Sequence, residues 1–110
     1  MNPGETEFLY LTTTGRTTGQ PREIEIWFTE HEGRYYVIAE NLEEAHWVQN
    51  LRADPGVLVR LADGAVAARA RVVDATAEPA LHERIRELSE RKYGWGDGLV
   101  VEIAPAAPDR

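Results

Sequence analysis

The segment Val57–Val73 has the sequence VLVRLADGAVAARARVV. Its two halves are rich in valine, leucine and alanine, and the dipeptide Asp63-Gly64 separates them. Asp-Gly is one of the strongest short-range signals for a β-hairpin, because the favoured two-residue turn needs positive φ at both central positions. The segment therefore predicts two adjacent strands, Val57–Ala62 and Val66–Val73, and with them an antiparallel sheet.

Four further strands are predicted outside this hairpin, and the alternation of side chains with a period of two is the main reason. They are Glu7–Thr14, Arg22–Thr29, Arg34–Ala39 and Leu99–Ala104. The dipeptide Glu32-Gly33 separates the second of these from the third. A second hairpin is therefore predicted there.

The first of two predicted helices connects the early strands to the central hairpin. Leu42–Arg52 changes to helical periodicity, with Glu43 and Glu44 in a first turn where acidic side chains are favoured. The tripeptide Asp54-Pro55-Gly56 ends the pattern.

The second helix begins at Pro79, a residue that suits a first helical turn. Hydrophobic residues then recur at helical spacing as far as Lys92, and Gly94 ends the pattern. Six short strands and two helices in this order predict a mainly β (α+β) fold, an antiparallel sheet curled into a barrel, in a single domain, 1–110.

The composition excludes several classes of function. The chain has 110 residues and a formal net charge of −7, which argues against general nucleic-acid binding because that requires a basic surface. It contains no cysteine, and its three histidines lack the spacing of a metal site. No apolar run approaches the roughly 20 residues of a membrane span, and the first residues lack the pattern of a signal peptide. We therefore expect a cytoplasmic protein whose partners are small molecules, with no metal, nucleic acid or membrane span.

The segment Thr12–Arg22 reverses the acidic character of the chain. Its eleven residues include five threonines, two arginines and two glycines, and no carboxylate. A phosphate group needs charge-assisted donors, free backbone N–H groups and room for close approach, which arginine, threonine and glycine provide. The alternative is a solvated turn whose threonines suit the flanking strand. The spacing Gly-x-x-x-Gly lacks the Gly-Lys-Ser/Thr ending of a nucleoside triphosphate loop.

The run Leu11–Arg22, LTTTGRTTGQPR, resembles the opening motif of the deazaflavin-dependent nitroreductase family. That family is related to the FMN-binding split β-barrels and the pyridoxamine-phosphate-oxidase-like proteins. The same order continues with Gly33-Arg34, with Trp47–Pro55 (WVQNLRADP) and with Ala68–Arg71 (ARAR). The resemblance spans most of the chain, and the loop motif is fairly specific in combination with the helix motif.

The resemblance implies a six-stranded split β-barrel that holds the deazaflavin coenzyme F-420. A hydride would pass from the reduced ring to a small quinone, a nitro compound or another activated acceptor. The family's phosphate loop maps onto Arg16, Thr17, Thr18, Gly19 and Arg22. The ring would lie against the strand Ile24–Phe28 and near Ala39, Glu40 and Asn41. Thr14, Ile26 and Trp47 are also implied cofactor contacts. No catalytic residue is assigned, because the cofactor itself performs the chemistry.

Several positions depart from the family pattern. The family often has lysine where this chain has Thr17, and often a basic group near Asn41. Glu25 stands where proline is common, and further glutamates crowd the expected rim. FMN, with its shorter tail, is therefore the alternative cofactor. A family member that binds no cofactor is a further alternative. A non-catalytic flavin or deazaflavin carrier module is the alternative function.

A substrate pocket is predicted beside the ring, lined by Trp27, His46, Tyr93 and Trp95. The two tryptophans Trp27 and Trp47 are candidates for stacking on a flat ring, although buried aromatics more often fill the core. His46 is a candidate proton donor, or else a surface or capping group. The glycine-rich segment 93–98 is either a lid over the pocket or a plug at the barrel end. Because related split barrels often pair, a homodimer is expected.

Overall fold

The computed structural model describes residues 8–40, 44–61 and 64–106. These residues form seven strands and two helices. The strands are β1 Phe8–Thr14, β2 Pro21–Trp27, β3 Thr29–His31, β4 Arg34–Ala39, β5 Gly56–Leu61, β6 Gly64–Val72 and β7 Leu99–Pro105. The helices are α1 His46–Ala53 and α2 Pro79–Tyr93. The predicted mainly β fold with two helices is confirmed, with seven strands in place of six. Neither helix in the described part of the chain is long and apolar enough to cross a membrane.

The strands form one antiparallel sheet in the order β2-β1-β5-β6-β7-β4-β3. Its two edge strands, β2 and β3, are consecutive in the chain, and Phe28 is the single residue between them. The sheet must therefore curl until its two edges meet at Phe28. Because β2 and β3 do not pair with each other, the result is a half-barrel that stays open along this line.

The extra strand arises because the predicted strand Arg22–Thr29 divides at Phe28. Its first part pairs with β1 and its second part with β4. The backbone N–H of Phe28 donates to the Tyr93 hydroxyl (3.0 Å), and the Phe28 carbonyl accepts from that hydroxyl (2.6 Å). Side-chain partners at the end of α2 thus replace the ladder bonds that Phe28 lacks, so the chain can change its strand partner there.

Both predicted hairpins are present. Glu32 and Gly33 have φ values of 51° and 79°, the positive values that a two-residue hairpin turn requires, and they join β3 to β4. Leu61 and Gly64 pair at the end of the β5–β6 hairpin, so Gly64, predicted in the turn, is the first residue of β6. The other predicted turn residue, Asp63, lies outside the described residues.

Helix α1 begins later than the sequence predicts. Its first residue is His46 and its N-cap is Ala45, so Glu44 precedes the helix instead of lying in its first turn. The other predicted acidic residue, Glu43, lies outside the described residues. Helix α2 ends as predicted, because Gly94 adopts φ 77° and donates its N–H to the Glu90 carbonyl.

Two hydrophobic clusters position these elements. The larger fills the inside of the sheet and includes Leu9, Leu11, Val59 and Ile103, with Leu51 of α1 packed over it. The smaller lies on the opposite face of β4 and β7, where α2 covers it with Ile85, Leu81 and Leu88. The gap between the sheet's edges therefore lies between α1 on one side and the end of α2 on the other.

A buried carboxylate ties three strands together on the face covered by α2. Glu102 on β7 is 4% exposed and lies in register with Arg71 on β6 and Tyr36 on β4. Its oxygens accept from Arg71 Nε (3.0 Å), the Tyr36 hydroxyl (2.9 Å) and Arg34 Nη1 (3.3 Å). Burial raises the pKa of Glu102, but the hydrogen bonds from Arg71 and Tyr36 and the nearby guanidinium charges outweigh burial and leave that pKa lowered. Burial and the bond to Glu102 raise the pKa of Tyr36 to about 12.

This carboxylate predicts how stability depends on pH. Because the pKa of Glu102 is lower in the folded chain than its ordinary value of 4.5, its contribution is fully present above pH 4.5 and is lost as the pH falls through the folded pKa. Glu102→Gln should reduce the free energy of unfolding at pH 7 by about 1–2 kcal/mol and flatten its decline in acid. Urea unfolding of both proteins from pH 7 to pH 3 measures this. Glu83→Gln, in an exposed pair with Arg86, is the control and should change little. Parallel pH profiles for wild type and Glu102→Gln would contradict the assignment.

Candidate functional site

The loop between β1 and β2 closes on itself through backbone hydrogen bonds. Gly15 donates to the Gln20 carbonyl (2.8 Å), and Gly19, at φ 72°, donates to the Gly15 carbonyl (2.8 Å). A side chain at Gly15 would lie only 3.0 Å from Thr18 Oγ1 and 3.1 Å from the Gln20 carbonyl oxygen. The closed loop leaves the side chains of Arg16, Thr17 and Thr18 exposed.

Asn50 of α1 holds this loop against the barrel. Its Oδ1 accepts from the Arg16 backbone N–H (3.2 Å) and from Arg16 Nη1 (2.8 Å), and its Nδ2 donates to Thr13 Oγ1 (3.2 Å). The side chain is 4% exposed, so these bonds are made in a largely dry environment. One buried amide thus sets both the path of the loop and the direction of the Arg16 guanidinium.

A cavity of about 660 Å³, here called the loop cavity, lies beside Arg16. Its polar lining from the loop and β2 consists of Arg16, Thr17, Thr18 and Arg22. Its lining from the start of α1 consists of Ala45, His46, Trp47 and Asn50. Among the described residues no carboxylate forms an ion pair with Arg16 or Arg22, although Glu44 also lines the cavity. Two guanidinium groups outside any ion pair of the described chain, beside hydroxyl groups, can bind an anion.

His46 contributes to the loop cavity through Arg16. Its Nδ1 lies 3.2 Å from Arg16 Nη2, and its backbone carbonyl accepts weakly from Nη1 at 3.5 Å. Because a guanidinium can only donate, this contact is a hydrogen bond only when Nδ1 carries no proton.

A second cavity, of about 590 Å³, lies between the unpaired edge of β2 and the end of β4, and is here called the aromatic cavity. Aromatic side chains dominate its lining, namely Trp27, Trp47, Tyr93 and Trp95. Ile26, Ile38 and Ala39 add aliphatic surface, and Glu25 and Glu40 carry its charge. Ala45 and Trp47 line both cavities, so the two form adjoining parts of one groove.

The outer wall of the aromatic cavity is a stacked pair of rings. Trp27 and Tyr93 lie parallel, with centroids 4.5 Å apart and an interplanar angle of 2°. The two hydrogen bonds between the Tyr93 hydroxyl and Phe28 hold this wall in place. Trp27 remains 48% exposed, so its outer surface is available for a further flat ring.

The segment 94–98 is attached firmly at the top of the aromatic cavity. The Trp95 carbonyl accepts from Ser89 Oγ (2.5 Å), and the Gly96 carbonyl accepts from Arg86 Nε (3.1 Å). Arg86 also pairs with Asp97 at 2.8 Å. Trp95 packs on the hydrophobic cluster beneath α2. These contacts hold the segment in place, and Trp95 packs under α2, on the face of the sheet opposite the barrel interior, instead of plugging the barrel end.

The structure brings most of the predicted site residues to the groove. Arg16, Thr17, Thr18 and Arg22 line the loop cavity; Ile26, Ala39, Glu40, Trp27, Tyr93 and Trp95 line the aromatic cavity; Trp47 lines both. Thr14 is the last residue of β1, and Gly19 lies in the turn of the loop. Neither residue lines a cavity. His46, predicted in the substrate pocket with Trp27, Tyr93 and Trp95, lines the loop cavity instead. Asn41 lies outside the described residues.

Sequence reasoning assigned no site role to Asn50, Gly15 or Ala45, although Asn50 stands in the helix motif and Gly15 in the loop motif. Asn50 lies four residues after His46, which puts both on one face of a short helix. A buried amide needs hydrogen-bond partners, but the sequence does not show which segment supplies them. Ala45 carries no signal, because its importance comes from close approach in three dimensions.

Comparison with known proteins finds a related sequence family and similar folds. The sequence model described as F420H(2)-dependent quinone reductase matches residues 3–96. The fold is similar to that of an F420-H2 dependent reductase, with a TM-score of 0.70 and 23% identity over 88% of this chain and 92% of that chain.

Two other solved structures share the fold. A FAD-binding protein from Mesorhizobium loti has a TM-score of 0.71 and 16% identity, over 94% of this chain and 84% of that chain. A structure described as a domain-swapped dimer has a TM-score of 0.67 and 22% identity, over 94% of this chain and 81% of that chain.

Proposed function

Because the chain belongs to the F420H(2)-dependent quinone reductase family, we propose that it binds reduced coenzyme F-420 in the groove and reduces a small activated acceptor. Quinones and nitro compounds are the acceptor classes tested first. The observation that carries the proposal is the pair of arginines, Arg16 and Arg22, which open onto the loop cavity without a carboxylate partner in the described chain.

The donor set of the groove fits a phosphorylated flat cofactor. Arg16, Arg22, Thr17 and Thr18 offer charge-assisted and hydroxyl hydrogen bonds to a phosphate. The adjoining aromatic cavity offers a slot for a ring between β2 and β4, with Trp47 at the junction of the two cavities. We assign the phosphate to the loop cavity and the ring to the aromatic cavity.

When bound, reduced F-420 supplies the hydride. The residues of this chain orient the ring and exclude water from one side of it. Asn50 directs the Arg16 guanidinium towards the phosphate, and the Trp27–Tyr93 wall limits where an acceptor can lie. Holding two reactants in one orientation removes much of the entropic barrier to their reaction.

FMN remains the second candidate cofactor, and the charge of the rim favours it. Glu44 lies at the rim of the loop cavity and Glu40 at that of the aromatic cavity, where a long anionic tail would be repelled. Structural similarity to a FAD-binding protein is consistent with a flavin in this fold. A carrier that binds F-420 or FMN without turnover is the alternative function.

Titration of the purified protein with F-420 and with FMN tests the proposal. We expect quenching of tryptophan fluorescence by F-420, and a gain of about 2.7 kcal/mol in stability at a hundred times the dissociation constant. Oxidation of reduced F-420 should then require both the protein and an added quinone or nitro acceptor. Binding without turnover would identify a carrier, and no change in melting temperature with either cofactor would refute the site.

A homodimer is also part of this proposal. Phe8 and Leu58, on β1 and β5, are 37% and 48% exposed and offer apolar surface to a second copy of the chain. The similar structure described as a domain-swapped dimer supports pairing of this fold. Sedimentation analysis of the purified protein should show a dimer at micromolar concentration, and a monomer throughout would contradict it.

Asn50→Ala tests how the loop is positioned. The substitution removes the acceptor of the Arg16 side chain and backbone and the donor to Thr13, while leaving both arginines in place. We expect a loss of about 1–2 kcal/mol in stability and about tenfold in F-420 affinity. Gln49→Ala, one residue earlier on the same helix and absent from either cavity lining, should retain full affinity. Unchanged binding by Asn50→Ala would show that the loop holds Arg16 without it.

A further inference from the structure

We propose that the aromatic cavity selects acceptors that are flat heteroaromatic cations. This inference rests on the proposed function, because the cavity is taken as the place where the acceptor meets the cofactor ring. Two features of the lining support it: the sign of its charge and its exposed π surface.

The charge of the aromatic cavity is entirely negative. Glu25 and Glu40 line it, and no lysine, arginine or histidine does so among the described residues. Glu25 accepts a hydrogen bond from the Tyr10 hydroxyl at 3.2 Å. Arg60 pairs with Glu23 at 3.1 Å, and its guanidinium carbon lies 4.1 Å from the centroid of the Tyr10 ring. The formal net charge of −7 adds a long-range field of the same sign.

The cations near the cavity have partners on other surfaces. Lys92 donates to the Phe28 carbonyl (2.9 Å), and its Nζ lies 4.2 Å from the centroid of the Phe28 ring and 5.1 Å from that of Tyr93. Arg16 faces Asn50 and His46 in the loop cavity. Neither side chain lines the aromatic cavity, so no cation of the described chain stands in the lining beside the two carboxylates.

The aromatic wall is suited to a flat cation. Trp27 is stacked on Tyr93 and therefore rigid, yet nearly half of its surface is exposed. Tryptophan is the best aromatic partner for a cation because its face carries the most negative π density. A planar cation can thus stack on Trp27 while its charge remains near Glu25 or Glu40.

Hydride transfer to such a cation balances without a proton donor in the lining. Oxidation of reduced F-420 yields a hydride and a proton; reduction of a quinone to a hydroquinone takes up both, whereas a heteroaromatic cation takes up the hydride alone. The new C–H bond forms at a ring carbon, the displaced π pair moves onto the charged nitrogen, and reduced F-420 is oxidised and releases its remaining proton to solvent. The product is neutral, so it loses the attraction of the carboxylates and can leave.

Three ligands of nearly equal shape test this selectivity: N-methylacridinium, acridine and acridine-9-carboxylate. Their dissociation constants are measured by tryptophan fluorescence at low salt, with the protein alone and with the protein loaded with F-420. We expect the cation to bind about tenfold more tightly than neutral acridine and the anion to bind most weakly. The preference should shrink at high ionic strength, because screening weakens exposed charges.

The double variant Glu25→Gln/Glu40→Gln should bring the affinities for the cation and the neutral ring to within about twofold. The control Glu83→Gln/Glu87→Gln makes the same change in net charge on the exposed face of α2 and should keep the tenfold preference. Equal affinity for the cation and acridine in wild type, or an unchanged preference in the cavity variant, overturns the inference. Failure of the proposed function appears separately, as absence of F-420 binding in the cofactor titration, whatever order the three ligands show.

Discussion

Replacing Arg16 and Arg22 together by alanine should weaken binding of F-420 by about a hundredfold or more and leave the fold intact. A hydrogen bond to a charged group contributes about 1.5–3 kcal/mol, so the loss of two such donors corresponds to at least two orders of magnitude in affinity. Both side chains are exposed, and neither belongs to the hydrophobic clusters. The double variant also lacks the hydrogen bond from Arg16 to Asn50. We expect this to lower the free energy of unfolding by less than the free energy of F-420 binding that is lost.

The matched control is Arg69→Ala/Arg84→Ala, which removes the same formal charge from exposed positions away from the groove. It should bind F-420 nearly as well as wild type, since screening weakens charges beyond about 10 Å. Fluorescence titration gives both affinities, and thermal unfolding without cofactor verifies that each variant is folded. Wild-type affinity in the Arg16/Arg22 variant would refute the phosphate site. Equal losses in both double variants would indicate a general electrostatic effect instead.

Gly98→Ala should lower the free energy of unfolding more than Glu102→Gln, Asn50→Ala or Gly33→Ala does. Gly98 adopts φ 145°, and an added Cβ would lie 2.6 Å from both the Ala39 carbonyl oxygen and Ile38 Cγ2. Backbone strain and a contact with a carbonyl that cannot move freely add together, so we expect a loss of about 3 kcal/mol. The melting temperature should fall by about 10 °C or more.

Gly33→Ala separates these two causes. Gly33 also has positive φ, at 79°, but nothing lies within 4 Å of the position of its Cβ. That variant should lose only about 1 kcal/mol, from strain alone. Similar losses in the two variants would show that segment 97–99 can move away from β4. In that case the end of β4, including Ala39, would be a less rigid wall of the aromatic cavity than its contacts indicate.

The elements of this fold were predictable because each is specified by neighbouring residues. Alternation marked the strands, glycine turns marked both hairpins, and Pro79 and Gly94 marked the ends of α2. The break at Phe28 was not predictable, since Phe28 continues the alternation of β2. Its backbone bonds go to Tyr93, which is 65 residues away in the chain.

The loop cavity was largely predictable and the aromatic cavity only in part. The cluster of arginine, threonine and glycine is contiguous in the sequence, so its anion-binding chemistry can be read without the fold. The role of Asn50 and the stacking of Trp27 on Tyr93 depend on contacts between distant segments. The position of His46 also depends on such contacts, so the sequence predicted it beside the aromatic residues whereas the structure puts it beside Arg16.

By itself the sequence determined the antiparallel sheet, the two helices and a cationic loop in an acidic chain, because these follow from side-chain periodicity and local composition. Only the tertiary structure decided that the loop and the aromatic wall adjoin, that Asn50 directs Arg16, and that Glu25 and Glu40 line a cavity to which the described chain contributes no cation. Local preferences act over a few residues, whereas these arrangements require the curled sheet to bring together residues from β1, α1, β4 and α2. That closure depends on burial of the whole core, which no single segment specifies.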